Sequence, residues 1–271
     1  MEYRVCISTD KGTVKEVNQD STMVKVANTE KTGRIVMGAL CDGMGGLSHG
    51  EVASSMMVNR LGKWFAEELP ITLSRTNATE KLDDNSKDCD IIADVRREWM
   101  ALVSEMNMSI RRYGMEHGSA LGTTCVSFLM LGNEFIVMNI GDSRVYMLTD
   151  KSMDLLTHDQ SVVQDMIDRG LMTPQQAEES PQKSVLLQCI GASDNVMPQF
   201  VRGVIAEQTS ILMCSDGFWR KLGGAEMISA LKPSRCDSEV SMKKSLDGLV
   251  DRVKERGETD NISAILIDCI I

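Results

Sequence analysis

The sequence has 271 residues, of which 42% are hydrophobic and 25% charged, with only five prolines and a formal net charge of −10. That balance describes a globular chain able to bury a sizeable core, and it excludes disordered and fibrous classes. It also argues against nucleic acid as a partner, because the basic pairs Arg96-Arg97, Arg111-Arg112 and Lys243-Lys244 are diluted by acids and form no stripe.

From the N-terminus, Met-Glu-Tyr-Arg-Val-Cys-Ile turns polar too soon for a signal peptide. No apolar run approaches the ~20 residues that span a bilayer, so a cytoplasmic protein is expected. Apolar, β-branched runs at Tyr3–Ser8, Thr22–Ala27 and Arg34–Cys41 read as strands. Ser48-His49-Gly50-Glu51 has capping-box spacing and opens a helix running through Val52, Met56, Leu61 and Phe65 towards Pro70. Thr72–Asp90 reads as a solvated loop, and Ile91 to Tyr113 as a second helix ended by Gly114. Strands follow at Thr124–Leu131, Glu134–Ile140 and Val145–Leu148. A polar, partly helical insertion covers about Asp159–Ser184, where Thr173-Pro174-Gln175-Gln176 supplies an N-cap, an N1 proline and a glutamine at N3. Ser210–Cys214 and Asn261–Ile267 are strands on either side of a helix from Glu239 to Arg256, with Gly257 as its stop.

Strands arrive in groups with helices between the groups, which favours layered sheets with outer helices over a doubly wound parallel sheet. The eight cysteines form no CxxC pair and sit mostly in apolar runs, as small hydrophobes in a reducing compartment. Twenty methionines beside three tryptophans, three tyrosines and five phenylalanines point to a methionine-rich core.

Four aspartates stand at strand ends beside glycine or asparagine: Asp42 before Gly43-Met44-Gly45-Gly46, Asp142 after Gly141, Asp216 before Gly217, and Asp260 before Asn261. Any one alone is a turn residue. Together, carboxylates at neighbouring strand ends converge on one sheet edge and repel unless cations hold them. Oxygen ligands alone select hard ions such as magnesium or manganese, and phosphoryl hydrolysis is the commonest use of such multi-ion sites. The three histidines, His49, His117 and His158, fit no nucleophilic triad, and Gly-Met-Gly-Gly lacks the Lys-Ser/Thr of a P-loop.

Asp10-Lys11-Gly12-Thr13-Val14-Lys15-Glu16-Val17-Asn18-Gln19-Asp20, Asp42-Gly43-Met44-Gly45-Gly46, Gly122-Thr123-Thr124, Asn139-Ile140-Gly141-Asp142-Ser143-Arg144, Leu156-Thr157-His158-Asp159, Cys214-Ser215-Asp216-Gly217 and Asp260-Asn261-Ile262-Ser263 occur in a telling order and spacing. In this the chain resembles the metal-dependent protein phosphatase (PPM, type 2C) family from about residue 8 to 267. Gly170–Ala177 is similar to the flap of its bacterial branch. The resemblance implies one catalytic domain over 1–271, of α+β class: a four-layer α-β-β-α sandwich of two antiparallel sheets flanked by helices, with a small flap insertion at about 159–184. It implies a Ser/Thr protein phosphatase using two to three Mn2+ or Mg2+ ions. Asp42 would bridge two ions, the Gly43 carbonyl would complete one, and Asp216 and Asp260 would hold the other. Asp142 with Asp216 would take a third ion, Asp20 would orient water behind the ligands, and a bridging hydroxide would attack phosphorus. Phosphoproteins made by a Ser/Thr kinase system would be its partners.

Three positions depart from the family pattern. Lys15 stands where a phosphate-binding arginine is usual, Gln19 where glutamate usually precedes Asp20, and Met44 where some members place histidine. Lys15 and Gln19 favour a rival reading as a catalytically weak PPM-fold regulatory or binding module. The complete aspartate set opposes it. A two-metal phosphodiesterase acting on nucleotides rests on shared metal chemistry alone.

Overall fold

The computed structural model describes residues 1–29, 32–45, 49–79 and 90–270. In chain order the strands are β1 (Glu2–Asp10), β2 (Asp20–Thr29), β3 (Gly33–Gly45), β4 (Leu121–Thr123), β5 (Cys125–Leu131) and β6 (Glu134–Ile140). They continue with β7 (Arg144–Leu148), β8 (Met153–Leu155), β9 (Gln199–Val204), β10 (Thr209–Cys214) and β11 (Ile262–Ile270). The helices are α1 (Gly50–Lys63), α2 (Leu69–Thr79), α3 (Ile91–His117), α4 (Val162–Asp168), α5 (Pro174–Glu179), α6 (Asp216–Trp219), α7 (Gly224–Leu231) and α8 (Glu239–Glu255). One sheet has the order β1-β11-β10-β7-β8 and the other β2-β3-β5-β6-β9, with β4 paired to the far end of β3. Neighbouring strands are antiparallel throughout.

Side-chain alternation builds the layers. Val36 and Leu40 of β3 join Val126, Phe128 and Val137 in a cluster with Val145, Ile211, Met213, Ile265 and Ile267 of the opposite sheet. The alternate residues Ile35, Met37, Ala39 and Cys41 instead pack with Leu61, Trp99 and Leu102 of α1 and α3. On the other side, Leu212, Ala264 and Leu266 meet Met242, Leu246 and Val253 of α8. Each sheet is covered on both faces, so its central strands β3, β5, β6, β10 and β11 are largely apolar and read in the sequence as continuous runs. The expected four-layer sandwich is present. Met37, Met57, Met130, Met138, Met213 and Met242 are buried in it, and Cys6, Cys41, Cys125, Cys189, Cys214, Cys236 and Cys269 are free thiols inside. Cys89 lies outside the described residues. No described helix is long and apolar enough to cross a membrane.

Several boundaries differ from the sequence reading. Ser48 lies outside the described residues, and α1 starts after His49, a left-handed residue (φ 79°) whose side chain makes no cap. Pro70 does not end that helix. A single π turn, Trp64–Glu68, precedes it, and Pro70 falls in the first turn of α2, where a missing N–H costs least. Residues 72–79, expected as loop, are therefore helical; 80–89 lie outside the described residues. Gly114 is interior to α3, which runs on to His117 and ends at Gly118 (φ 63°), whose N–H returns to the Gly114 and Met115 carbonyls. Strands β4, β8 and β9 were not expected: β4 and β8 have three residues each, and β9 is a partly exposed edge strand. The capping box at Thr173 is present, with Gln176 returning its side chain to the Thr173 N–H.

The π turn that follows α1 is locked to α3 by an edge-to-face pair, Trp64 and Trp99, with ring centroids 5.5 Å apart. Trp64 Nε1 donates to Glu98 Oε2 (2.8 Å), whereas the buried Trp99 Nε1 has no acceptor among the described residues. Trp64→Phe should therefore cost about 1 kcal/mol more stability than Trp99→Phe, read from urea midpoints, because only the former breaks a hydrogen bond to a carboxylate. Equal losses would contradict this packing.

Candidate metal centre

Antiparallel pairing brings the ends of β3, β6 and β10 and the starts of β2, β7 and β11 to one end of the sandwich. Asp20 faces Asp42 directly in the β2–β3 register, and like charges opposite one another destabilise a strand pair. Asp142 lies in the short crossing from β6 to β7, which passes from one sheet to the other. Asp216 follows β10 and opens α6, and Asp260 immediately precedes β11. Cys214 is paired with both Ala264 and Arg144, which fixes the last three aspartates on neighbouring chain ends.

Backbone contacts hold Asp42 in place. Its N–H donates to Thr124 Oγ1 (3.0 Å), and its carbonyl accepts from Thr123 Oγ1 and Thr124 N (both 2.9 Å). Gly43 can only be glycine: a Cβ there would stand 2.2 Å from the Gly50 carbonyl oxygen and 2.5 Å from that of Gln19. The Gly43 N–H donates to that Gln19 carbonyl (3.1 Å), so the start of α1 and the loop before β2 close directly on the Asp42-Gly43 backbone.

The loop carrying Lys15 and Gln19 is pinned by a residue to which the sequence reading gave no role. Asn261 Nδ2 donates to the carbonyls of Lys11 (2.9 Å) and Val17 (3.1 Å), and its Oδ1 accepts from Gln19 N–H (2.9 Å). Lys15 then reaches over the acids, with Nζ 3.0 Å from Asp260 Oδ1. Burial pulls the Lys15 ammonium towards losing its proton, but the bond to Asp260 and the fields of Asp42 and Asp216 outweigh it and raise its pKa. Gln19 is mainly a backbone partner; among the described residues its side chain makes a long contact to Glu51 (3.4 Å). Sequence reading also missed Arg220, which pairs with Asp216 (2.7 Å) and Asp142 (3.2 Å). The spacing Asp216…Arg220 at i,i+4 was its only signal.

Electrostatics is the dominant feature. Burial, then the neighbouring carboxylates Asp20, Asp216, Asp142 and Asp260, push the Asp42 carboxyl well above its usual range. Burial and Asp216 raise Asp142 to about 8 against the pull of Arg220, and burial with Asp216 and Asp260 raises Asp20 to about 7. Both Asp20 oxygens and Asp216 Oδ1 are buried without a hydrogen-bond partner among the described residues. A buried carboxylate oxygen without a proton, donor or cation is costly.

Among the described residues no three His, Cys, Asp or Glu side chains surround a common point as a closed set of metal ligands. Some of the acids turn instead to the two local cations, Asp260 to Lys15 and Asp142 and Asp216 to Arg220. The donor set nevertheless fits hard divalent ions. It consists of oxygens alone, its carboxyl groups outnumber Lys15 and Arg220, and Asp216 Oδ1 is unpartnered among the described residues.

A fold of two helix-covered antiparallel sheets with acids gathered at one end defines a class that comparison with known proteins identifies. The family model for Protein phosphatase 2C matches residues 10–266. The chain is 29% identical over 266 residues to "Protein phosphatase PhpP" of Streptococcus pneumoniae, covering 97% of this chain and 96% of that protein. Its structure superimposes on the S. agalactiae serine/threonine phosphatase with a TM-score of 0.80 and 26% identity, covering 98% of this chain and 99% of the other. It also superimposes on the catalytic domain of the serine threonine protein phosphatase PstP in complex with two manganese ions, with a TM-score of 0.72, 26% identity and 99% of each chain covered. The chain belongs to the protein phosphatase 2C family, a class of protein-serine/threonine phosphatases.

The Asn261 amide makes three hydrogen bonds at once, so Asn261→Ala should cost about 2–3 kcal/mol and loosen the loop from Lys11 to Gln19. Urea unfolding measures the first effect and hydrogen exchange of that loop the second. A loss below about 0.5 kcal/mol would show that the loop is held by other contacts.

Proposed function

We propose that this protein hydrolyses phosphoserine and phosphothreonine monoesters in other proteins, using manganese or magnesium ions held by Asp42, the Gly43 carbonyl, Asp216 and Asp260. The observation that carries the reading is the convergence of these acids at one end of a 2C-type sandwich, with Asp216 Oδ1 left without a partner among the described residues. Ions bound there supply an activated water and offset the charge of the phosphoryl oxygens.

The chain's own residues do the rest. Asp20, opposite Asp42 and with both oxygens unpartnered among the described residues, would accept hydrogen bonds from water at the bound ions. The Lys15 ammonium is partly exposed above the acids and offers a single point charge to a substrate phosphate oxygen, where an arginine would offer a planar fork. Asn261 fixes the height of that lysine through the loop. The insertion at 159–184, carrying α4 and α5, selects among phosphoproteins, the products of a Ser/Thr kinase.

Phosphate release from a phosphothreonine peptide should require added manganese or magnesium and stop in excess chelator, while a diester such as bis(p-nitrophenyl) phosphate stays intact. Asp216→Asn should keep less than about a tenth of wild-type kcat. Activity that survives chelation, or in the Asn variant, would place the chemistry elsewhere. Lys15→Ala should raise KM roughly tenfold, equivalent to ~1.4 kcal/mol, and Lys15→Arg should leave it equal or lower. An unchanged KM in Lys15→Ala would mean that the ions alone hold the phosphate.

A further inference from the structure

Arg220 is a cation for which the expected ligand set has no place. It follows α6, four residues after Asp216, and only 19% of its side chain is exposed. One nitrogen, Nη2, stands 2.7 Å from Asp216 Oδ2 and 3.2 Å from Asp142 Oδ2. It therefore sits between the two carboxylates expected to share a third ion. Arg220 also reaches the end of the flap, through Nη1 to Ser184 Oγ (3.3 Å) and Nη2 to the Lys183 carbonyl (3.5 Å).

The surroundings hold this arrangement. Trp219 Nε1 donates to the Asp142 carbonyl (3.1 Å), which fixes the turn carrying Asp142. The other face of the cluster is closed by Arg144, stacked 3.3 Å from the Trp219 ring centroid and paired through Nη2 with Asp159 (2.8 Å) at the start of the flap. A guanidinium stays protonated at any accessible pH, so a divalent ion placed between the same two oxygens would meet a fixed like charge in a water-poor site. Asp216 divides its oxygens accordingly. Oδ2 pairs with Arg220, and Oδ1, buried and unpartnered among the described residues, is left for an ion on the Asp42 and Asp260 side.

We propose that Arg220 takes the place of a third ion. Its guanidinium is the resident cation of the Asp142–Asp216 pair, the centre binds two divalent ions and not three, and the same side chain ties the end of the flap to the centre. The proposal rests on the metal-centre reading above and adds a positioning residue to it.

The test counts bound manganese on the intact chain by native mass spectrometry and calorimetry, with circular dichroism as the check of folding. Wild type should bind two ions, and Asp142→Ala should still bind two. Arg220→Asn should bind a third, which Asp142→Ala in the same chain removes, and Arg220→Lys should return the count to two. Three ions in wild type with one lost in Asp142→Ala would overturn the proposal and leave the phosphatase reading intact. So would a folded Arg220→Asn that stays at two. A wild-type chain that binds no manganese would overturn both. Should Arg220→Asn fail to fold, the wild-type and Asp142→Ala counts decide between these outcomes.

Discussion

Everything at the functional end of this molecule follows from an excess of negative charge in a buried place. The carboxylates of Asp20, Asp42, Asp142, Asp216 and Asp260 lie close enough for each to affect the protonation of its neighbours, and the local cations are Lys15 and Arg220. Such a cluster relaxes by taking up protons, by turning towards arginine and lysine, or by binding metal. The first two are visible in the raised carboxyl pKa values and in the ion pairs. The third is the basis of the function proposed above.

The sandwich makes relaxation by movement expensive. Strands covered on both faces cannot slide or twist without disturbing two cores at once, so the acids at their ends stay together. Smaller devices refine the positions. Thr123 and Thr124 hold the Asp42 backbone, the Gly43–Gly50 approach fixes α1 against it, and Asn261 carries the loop that places Lys15. Arg144, Asp159, Trp219 and Arg220 join both ends of the segment 159–184 to the same end of the molecule, which ties that segment to the charged cluster.

The sequence displayed the parts whose physics is local. Strand-end aspartates beside glycine announced the centre, and long apolar runs announced the central strands, because both signals lie within a few residues. The helix ends were less legible. Pro70 looked like a stop because a π turn that absorbs a proline has no sequence signature, and Gly114 looked like a cap because a glycine after a helical run is the usual stop, whereas here it lets the Ser119 carbonyl approach to 2.5 Å of where a Cβ would stand. Asn261 and Arg220 were missed for another reason: their partners are distant in sequence, Lys11 lying 250 residues from Asn261 and Asp142 lying 78 from Arg220. Strand β9 is exposed along one edge and carries Arg202 and Gly203, so it lacks the apolar run that marked the others.

The central claim, that the acids form a cation-dependent cluster whose own repulsion weakens the fold, is tested most directly by one comparison of stability. Wild type and Asp42→Asn are unfolded in chelator and again with saturating manganese. In chelator the variant should be the more stable, because Asp42, whose carboxyl is pushed well above its usual range, must take up a proton to fold opposite Asp20 and an amide need not. Manganese at about 100 times its Kd should stabilise wild type by about 2.7 kcal/mol for each ion bound and leave the variant nearly unmoved. A variant that is less stable in chelator and gains as much from manganese as wild type would contradict the account.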